Sequence, residues 1–294
     1  MESVTGRLVS MSKTSYGAIA RLETSGADNA WITTEIVLFD GQKKIEITNR
    51  LDRATSSYFV FPFAMDRPEF RYELQNGVVN APKDILPGGG MENFPVQHWA
   101  SVSQDEVTVA VVPGDAPIVT FGDIRRYTWP KEFGTRKATI FSSLGRAGGP
   151  GREFRYVFTS GRKVAPSLLS RLGWGAMTPF ELNAVVSNDK VGNPPRPLDP
   201  VKGSFLEVDN PATVLLVWKH AEDENGTVLR FVETDGQAGT VKVSSPILNV
   251  DRAWLCNSME ENRQPLAVSQ GGFSFNVKPF EIVTVRLDGT PRLQ

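Results

Sequence analysis

Short segments that alternate apolar and polar residues recur along the chain, a pattern typical of β-strands with one buried and one exposed face. Residues 32–39 and 44–49 show this alternation on either side of the turn signal Asp40-Gly41, which predicts a β-hairpin. Further strands are predicted at 57–63, 69–74, 96–102, 107–112, 118–121, 138–143, 153–159, 214–218, 228–232, 239–243, 273–277 and 281–287. So many short strands predict an all-β protein, built as a sandwich or a barrel.

Helical signal is confined to residues 165–173, where a proline stands near the start and Gly173 follows the last helical position. A polar, proline-rich stretch at 187–197 then interrupts the strand pattern and predicts a linker or a long loop. We therefore predict two domains, the first at 1–200 and a smaller β-sandwich at 201–294.

The overall charge is close to neutral, because the 294 residues include 32 Lys and Arg against 33 Asp and Glu, a formal charge of −1. This balance argues against a nucleic acid or a membrane surface as partner, since both require a basic face. The single Cys256 excludes an intramolecular disulfide and a cysteine-rich zinc site. With no basic, apolar leader and no apolar run of 18 residues, we expect a soluble, cytoplasmic chain.

Two histidines are the candidate imidazoles for acid–base chemistry, and they lie too far apart in sequence to predict a local metal pair. His98 precedes Trp99, whose indole face suits stacking on a sugar ring. The commoner arrangement is a strand histidine satisfied by backbone hydrogen bonds, and that alternative stays open for His98. His220 stands at a strand end beside an acidic turn, so we expect it on the surface.

Three carboxylates cluster at Asp66, Glu69 and Glu73, and paired carboxylates are the usual catalytic groups of glycosidases. Arg67 and Arg71 stand among them, and a neighbouring guanidinium keeps a carboxylate ionised. Glu69, Arg71 and Glu73 share one strand face because successive residues of a strand point to opposite faces. This spacing predicts a structural ladder of ion pairs in preference to a catalytic pair.

A series of short motifs resembles, in its order and spacing, the C-terminal β-rich region of glycoside hydrolase family 38, the α-mannosidases. The series spans nearly the whole chain and comprises 46–52 (EITNRLD), 58–64 (YFVFPFA), 70–73 (FRYE), 77–79 (GVV), 84–88 (DILPG), 94–99 (FPVQHW), 115–124 (DAPIVTFGDI) and 278–284 (KPFEIVT). The resemblance implies an antiparallel supersandwich like that of galactose mutarotase, followed by a smaller β-sandwich.

The same resemblance implies where the chemistry resides. Family 38 enzymes are retaining glycosidases whose zinc and nucleophilic Asp belong to an N-terminal α/β domain, and no segment of this sequence matches that domain. No catalytic residue, metal ligand or cofactor is therefore expected in this chain. The implied partners are a carbohydrate and either an N-terminal catalytic domain or a second copy of the chain.

One segment departs from the family pattern. Relatives often carry a polar, aromatic loop after the strand equivalent to 138–142, whereas 143–151 here is rich in glycine. If that loop shapes a sugar cleft in the relatives, this part of the cleft is changed here.

Three functions remain open at this point. The first is the β region of an α-mannosidase-like hydrolase, which supports or rims an active site built elsewhere. The second is a stand-alone carbohydrate-binding module. The third is an aldose epimerase that uses His98, for which the sequence offers no matched carboxylate. The candidate carbohydrate-binding residues are Arg71, Tyr72, His98, Trp99, Tyr127 and Trp129.

Overall fold

The computed structural model describes residues 6–25, 30–53, 55, 57–75, 77–123, 133–144, 152–178, 180–181, 203–269 and 271–291. The chain divides into two compact units, Met1–Pro179 and Phe180–Gln294, and each contains its own hydrophobic core. The predicted domain boundary at residue 200 and the proline-rich stretch 187–197 lie outside the described residues.

The N-terminal unit is an antiparallel β-sandwich. Its strands are β1 (Arg7–Thr14), β2 (Gly17–Ser25), β3 (Trp31–Phe39), β4 (Ile45–Leu51), β5 (Tyr58–Pro62), β6 (Glu69–Leu74), β7 (Gly77–Ala81), β8 (Phe94–Pro95), β9 (Ala100–Gln104), β10 (Val107–Pro113), β11 (Ile118–Phe121), β12 (Thr139–Ser143) and β13 (Arg152–Arg162). Among the described residues they form a nine-stranded sheet, ordered β1-β2-β3-β4-β13-β10-β9-β6-β7, and a four-stranded sheet, ordered β5-β12-β11-β8.

Aromatic side chains fill the space between the two sheets. Phe70 on β6 stacks on Phe121 of β11 with ring centroids 4.7 Å apart, and Phe61 on β5 meets Tyr156 of β13 at 4.9 Å. Burial of such rings is the main stabilising contribution to the sandwich, because each removes a large apolar area from water. The fold class predicted from the alternation, an all-β sandwich, is confirmed.

The predicted hairpin is confirmed as well. β3 pairs with β4 in a register that sets Leu38 opposite Ile45. The predicted strand at 96–102 is wrong at its start, because 96–99 link β8 to β9 outside any strand. β1 and β2 were not predicted; β1 is exposed along almost its whole length and therefore lacks a clean alternation.

Helix α1 (Pro166–Met177) covers the outer face of the nine-stranded sheet. It continues four residues past Gly173, where the sequence predicted it to end. A Cβ built at Gly173 would lie 2.4 Å from Cβ of His98, so the glycine permits close approach of the helix to the sheet. No helix in the described part of the chain is long and apolar enough to cross a membrane.

Asp115, in the turn that leads from β10 into the second sheet, is bound to Arg155 on β13. Its carboxylate accepts hydrogen bonds from the backbone N–H of Arg155 (2.8 Å) and from the side-chain Nε and Nη2 (2.9 Å each). Burial raises the pKa of Asp115, but the hydrogen bonds and charge of Arg155 outweigh it, so that the pKa lies below its ordinary value. The ionised carboxylate therefore stabilises the folded state.

This contribution has a defined pH dependence. It is present above the unfolded-state pKa of about 4 and is lost as the pH falls through the lowered folded-state pKa. We expect Asp115→Asn to be less stable than the parent at pH 7 and to lose less stability on acidification below about pH 4. Urea denaturation of both proteins at pH 7, 4 and 3 measures the difference, and identical pH profiles would contradict the assignment.

The C-terminal unit is a second, smaller β-sandwich. Its strands are β14 (Glu207–Val208), β15 (Thr213–His220), β16 (Thr227–Glu233), β17 (Gly239–Ser244), β18 (Leu248–Cys256), β19 (Asn262–Leu266), β20 (Val268–Ser269), β21 (Gly272–Val277) and β22 (Ile282–Pro291). The described strands form a four-stranded sheet, β14-β17-β21-β20, and a five-stranded sheet, β15-β16-β22-β18-β19, with residues such as Phe231 and Phe275 packed between them.

Candidate functional site

A polar cleft of about 880 Å³ opens in the N-terminal unit where β6 begins and β7 ends. The side chain of Gln104, at the end of β9, holds the segment before β6 in place by accepting hydrogen bonds from the backbone N–H of Asp66 (2.7 Å) and Arg67 (2.9 Å). The wall of the cleft that precedes β6 is therefore held in position by hydrogen bonds to the end of β9.

Arg71 is the third residue of β6 and lines this cleft. Its partner in the pairing with β7 is Asn80, which lines the cleft as well. Within the described part of the chain the guanidinium of Arg71 forms no hydrogen bond or ion pair, and its Nε is buried without a partner. The side chain as a whole is half-buried, so part of it is in contact with solvent. Arg71 is a half-buried cation whose donors are available to a ligand.

The predicted ladder of ion pairs along β6 is wrong. Glu69 and Glu73 flank Arg71 on the same strand face, yet neither forms a salt bridge with it. The Glu73 carboxylate is engaged by His98 and Ser170, and the exposed Glu69 has no ion pair among the described residues. Arg67 lies near Asp105, 3.6 Å away, and not beside Asp66 as its position in sequence suggested.

The remaining charges of the cleft differ in their availability. Arg136 is buried, and its guanidinium donates to three backbone carbonyls, those of Met91, Phe121 and Phe133. It supports the wall and has few donors left for a ligand. Asp66 and Lys83 are exposed, and their side chains form no ion pair with any described residue.

A second polar group, formed by Glu73, His98, Ser170 and Trp99, is buried beneath α1. Ser170 donates a hydrogen bond to Oε1 of Glu73 (2.6 Å), and Nδ1 of His98 lies 2.7 Å from Oε2. The indole N–H of Trp99 donates to Oγ of Ser170 (3.2 Å), while the ring of Trp174 covers the imidazole with centroids 4.5 Å apart.

The directions of these hydrogen bonds show what the buried group can do. An indole N–H only donates, so Ser170 accepts from Trp99 and uses its own proton for Glu73. Ser170 is thus bonded to the carboxylate and not to the imidazole, unlike the nucleophile–base contact of covalent catalysis. The group fastens α1 to the sheet.

The six candidate binding residues are not brought together in one site. Arg71 lies in the polar cleft, whereas Tyr72, His98 and Trp99 are buried, at 5 %, 6 % and 1 % exposure. A sugar does not reach these three side chains in the arrangement shown. Tyr127 and Trp129, and most of the glycine-rich stretch 143–151, lie outside the described residues.

The sequence missed Glu73 as the partner of His98 and Ser170 as the link to Trp99. Glu73 and His98 are 25 positions apart along the chain, and Trp99 and Ser170 are 71 positions apart, so no local spacing indicated either pair. Glu69, Asp66 and Lys83 were missed as cleft residues, although the spacing of two between Glu69 and Arg71 places both on one face.

The pair of Glu73 and His98 does not suit an epimerase. That reaction needs an acid and a base on opposite sides of a sugar ring. Here the two groups touch each other at 2.7 Å and are covered by α1, so no sugar fits between them.

A zinc site within the chain would require several His, Cys, Asp or Glu side chains close together. The described part of the chain contains no group of three or more His, Cys, Asp or Glu side chains placed to hold a metal ion. His98 is already bound to Glu73, and His220 is exposed at the end of β15. The described residues therefore provide no set of ligands for a zinc ion.

Two family models match the chain, one in each unit. The C-terminal domain of glycosyl hydrolases family 38 matches residues 6–116, and the C-terminal beta sandwich domain of the same family matches residues 212–285. Together they cover more than half of the sequence. The chain belongs to glycoside hydrolase family 38 and corresponds to the C-terminal region of that family.

Solved structures agree with this family 38 assignment at the level of fold. An α-mannosidase from Enterococcus faecalis V583 matches 98% of this chain with a TM-score of 0.68 at 14% identity. A family 38 protein from Enterococcus faecalis matches 98% with a TM-score of 0.69 at 13% identity. This family 38 region spans 35% and 37% of those two chains, about a third of their length.

Other comparisons add little to the family 38 assignment. A galactose mutarotase related enzyme from Lactobacillus acidophilus matches 54% of this chain, and the chain covers 72% of it, at 12% identity. Its TM-score of 0.29 is too low to support an argument. No curated protein sequence matches the chain.

Proposed function

We propose that this chain serves as the C-terminal β region of an α-mannosidase-like glycoside hydrolase. It supports or rims an active site whose zinc and nucleophilic Asp lie on an N-terminal catalytic domain, which is its partner. The observation that carries this proposal is the match of two C-terminal family 38 models, in order, one to each sandwich.

The chemistry of the described residues supports the same division of labour. They supply no cluster of metal-binding side chains, and the imidazole and carboxylate of the N-terminal unit are used to attach α1. The chain also spans only about a third of the two enterococcal structures, which leaves room in such proteins for a separate catalytic part.

An activity assay tests this proposal. We expect the purified chain to leave an aryl α-mannoside intact, with or without added zinc, and to retain no stoichiometric zinc after equilibrium dialysis. A family 38 catalytic enzyme measured in parallel is the positive control for the assay. Zinc-dependent hydrolysis by this chain alone, or one tightly held zinc per chain, would refute the proposed division.

A second candidate function is a stand-alone carbohydrate-binding module. The open polar cleft with the unpartnered guanidinium of Arg71 favours it. The two candidates differ in what the chain needs: a module binds saccharide by itself, whereas a supporting region acts through a catalytic partner.

A further inference from the structure

We propose that the cleft at the start of β6 and the end of β7 is a binding site for a neutral saccharide, anchored by Arg71; this rests on the proposed function in taking a carbohydrate as the ligand. The cleft volume of about 880 Å³ is within the range of small-molecule sites and holds more than one sugar ring. The polar groups of the cleft that form no hydrogen bond or ion pair with any described residue indicate the ligand.

Arg71 is the group with the clearest need for a ligand. Its Nε is closed off from solvent without a hydrogen-bond acceptor, which is a costly arrangement for a charged donor. A guanidinium is planar, and its terminal nitrogens present their N–H donors as a fixed fork. Such a fork matches two oxygens on adjacent atoms, including a pair of neighbouring hydroxyl groups.

Groups of the opposite charge lie in the same cleft. Glu69 stands two residues before Arg71 on the same face of β6, which separates their Cα atoms by about 7 Å along the strand. Neither Glu69 nor Asp66 has an ion pair among the described residues. The cleft therefore offers strong acceptors and strong donors that do not neutralise one another by contact.

This mixture selects the chemical class of the ligand. A hydroxyl group both donates and accepts, so one saccharide can donate to Glu69 and Asp66 while it accepts from Arg71 and Lys83. A phosphate or carboxylate ion would pair with the basic side chains of the cleft, but it would also lie beside the carboxylates of Asp66, Glu69 and Asp105 with few or no protons to donate to them. An uncharged polyhydroxyl ligand is the one that satisfies both sets.

Isothermal titration of the whole chain tests the proposal. The probes are α-linked mannotriose and cellotriose as neutral saccharides, and mannose 6-phosphate and inorganic phosphate as anions. We expect at least one neutral saccharide to bind, and Arg71→Gln to weaken that binding by about tenfold or more. Arg21→Gln is the matched control, because Arg21 lies on β2 of the same sheet, bound to Glu35 and far from the cleft in strand order.

A second variant guards against misfolding. Glu69→Gln changes an exposed side chain without a partner, and we expect it to fold like the parent and to weaken the same saccharide several-fold. Circular dichroism and thermal melting check each variant. If Arg71→Gln does not fold, Glu69→Gln decides the question.

Four outcomes would overturn the proposal: no neutral saccharide binds, only the phosphate-bearing probes bind, the cleft variants bind as tightly as the parent, or Arg21→Gln loses binding equally. None of these results alters the hydrolysis and zinc measurements. Failure of the saccharide site and failure of the proposed catalytic division are therefore distinguishable.

Discussion

Replacing Glu233 with alanine is expected to remove about 3 kcal/mol or more from the stability of the C-terminal unit. Glu233 ends β16 and is 1 % exposed. Its carboxylate accepts three backbone N–H bonds of 2.8 Å, from Asp235, Gly236 and Phe280. Truncation leaves all three donors without an acceptor, and each such loss costs about 1–3 kcal/mol.

Urea denaturation followed by tryptophan fluorescence measures the effect; Trp218 and Trp254 are the tryptophans of this unit, and the other four contribute the signal of the N-terminal unit. Glu261→Ala is the control, because Glu261 is exposed and its removal is expected to change stability by less than about 0.5 kcal/mol. Glu233→Gln keeps one acceptor oxygen and should fall between the two. A loss below about 1 kcal/mol for Glu233→Ala would show that water replaces the carboxylate at these donors.

The second large effect is expected for Glu73→Ala in the N-terminal unit. This change leaves Nδ1 of His98 and the hydroxyl of Ser170 without their acceptor beneath α1, and it breaks the path to Trp99. We expect a loss of about 3 kcal/mol, because buried polar groups that lose a partner carry their full desolvation cost. Urea denaturation and the tryptophan emission maximum, to which the buried Trp99 contributes, are the two readouts.

The control for this change is on the same strand. Glu69→Ala removes an equal side chain from an exposed position of β6 that has no ion pair within the described residues, and it should be nearly neutral. Equal destabilisation by the two substitutions would mean that the buried hydrogen bonds contribute nothing specific. A loss confined to Glu73→Ala assigns the effect to the attachment of α1.

Local patterns predicted much of the fold. The period of two in β3 and β4 gave both strands and their hairpin, because one buried face and a two-residue turn signal are properties of adjacent residues. Gly173 was misjudged as the end of α1, since its small size serves contact with His98, 75 positions earlier in the chain. Such a close approach is a property of tertiary packing that no window of sequence contains.

The candidate site was predicted less well than the fold. Arg71 and Tyr72 are neighbours on β6 and so point to opposite faces: Arg71 lines the cleft and Tyr72 joins the core beside Phe94. The alternation of side chains along the strand therefore places these two candidate carbohydrate-binding residues on opposite faces of the sheet. His98 and Trp99 fell outside the cleft because α1, distant in sequence, covers them.

The attachment of α1 makes the two histidines of the chain differ in their accessibility to a chemical reagent. The protein contains two histidines, of which His220 is open to solvent and His98 is enclosed by the helix. A reagent that modifies imidazole reacts with His220 directly. It reacts with His98 only in molecules in which α1 has transiently detached from the sheet. The ratio of the two reaction rates thus reports how often α1 detaches, with the faster histidine as the internal reference.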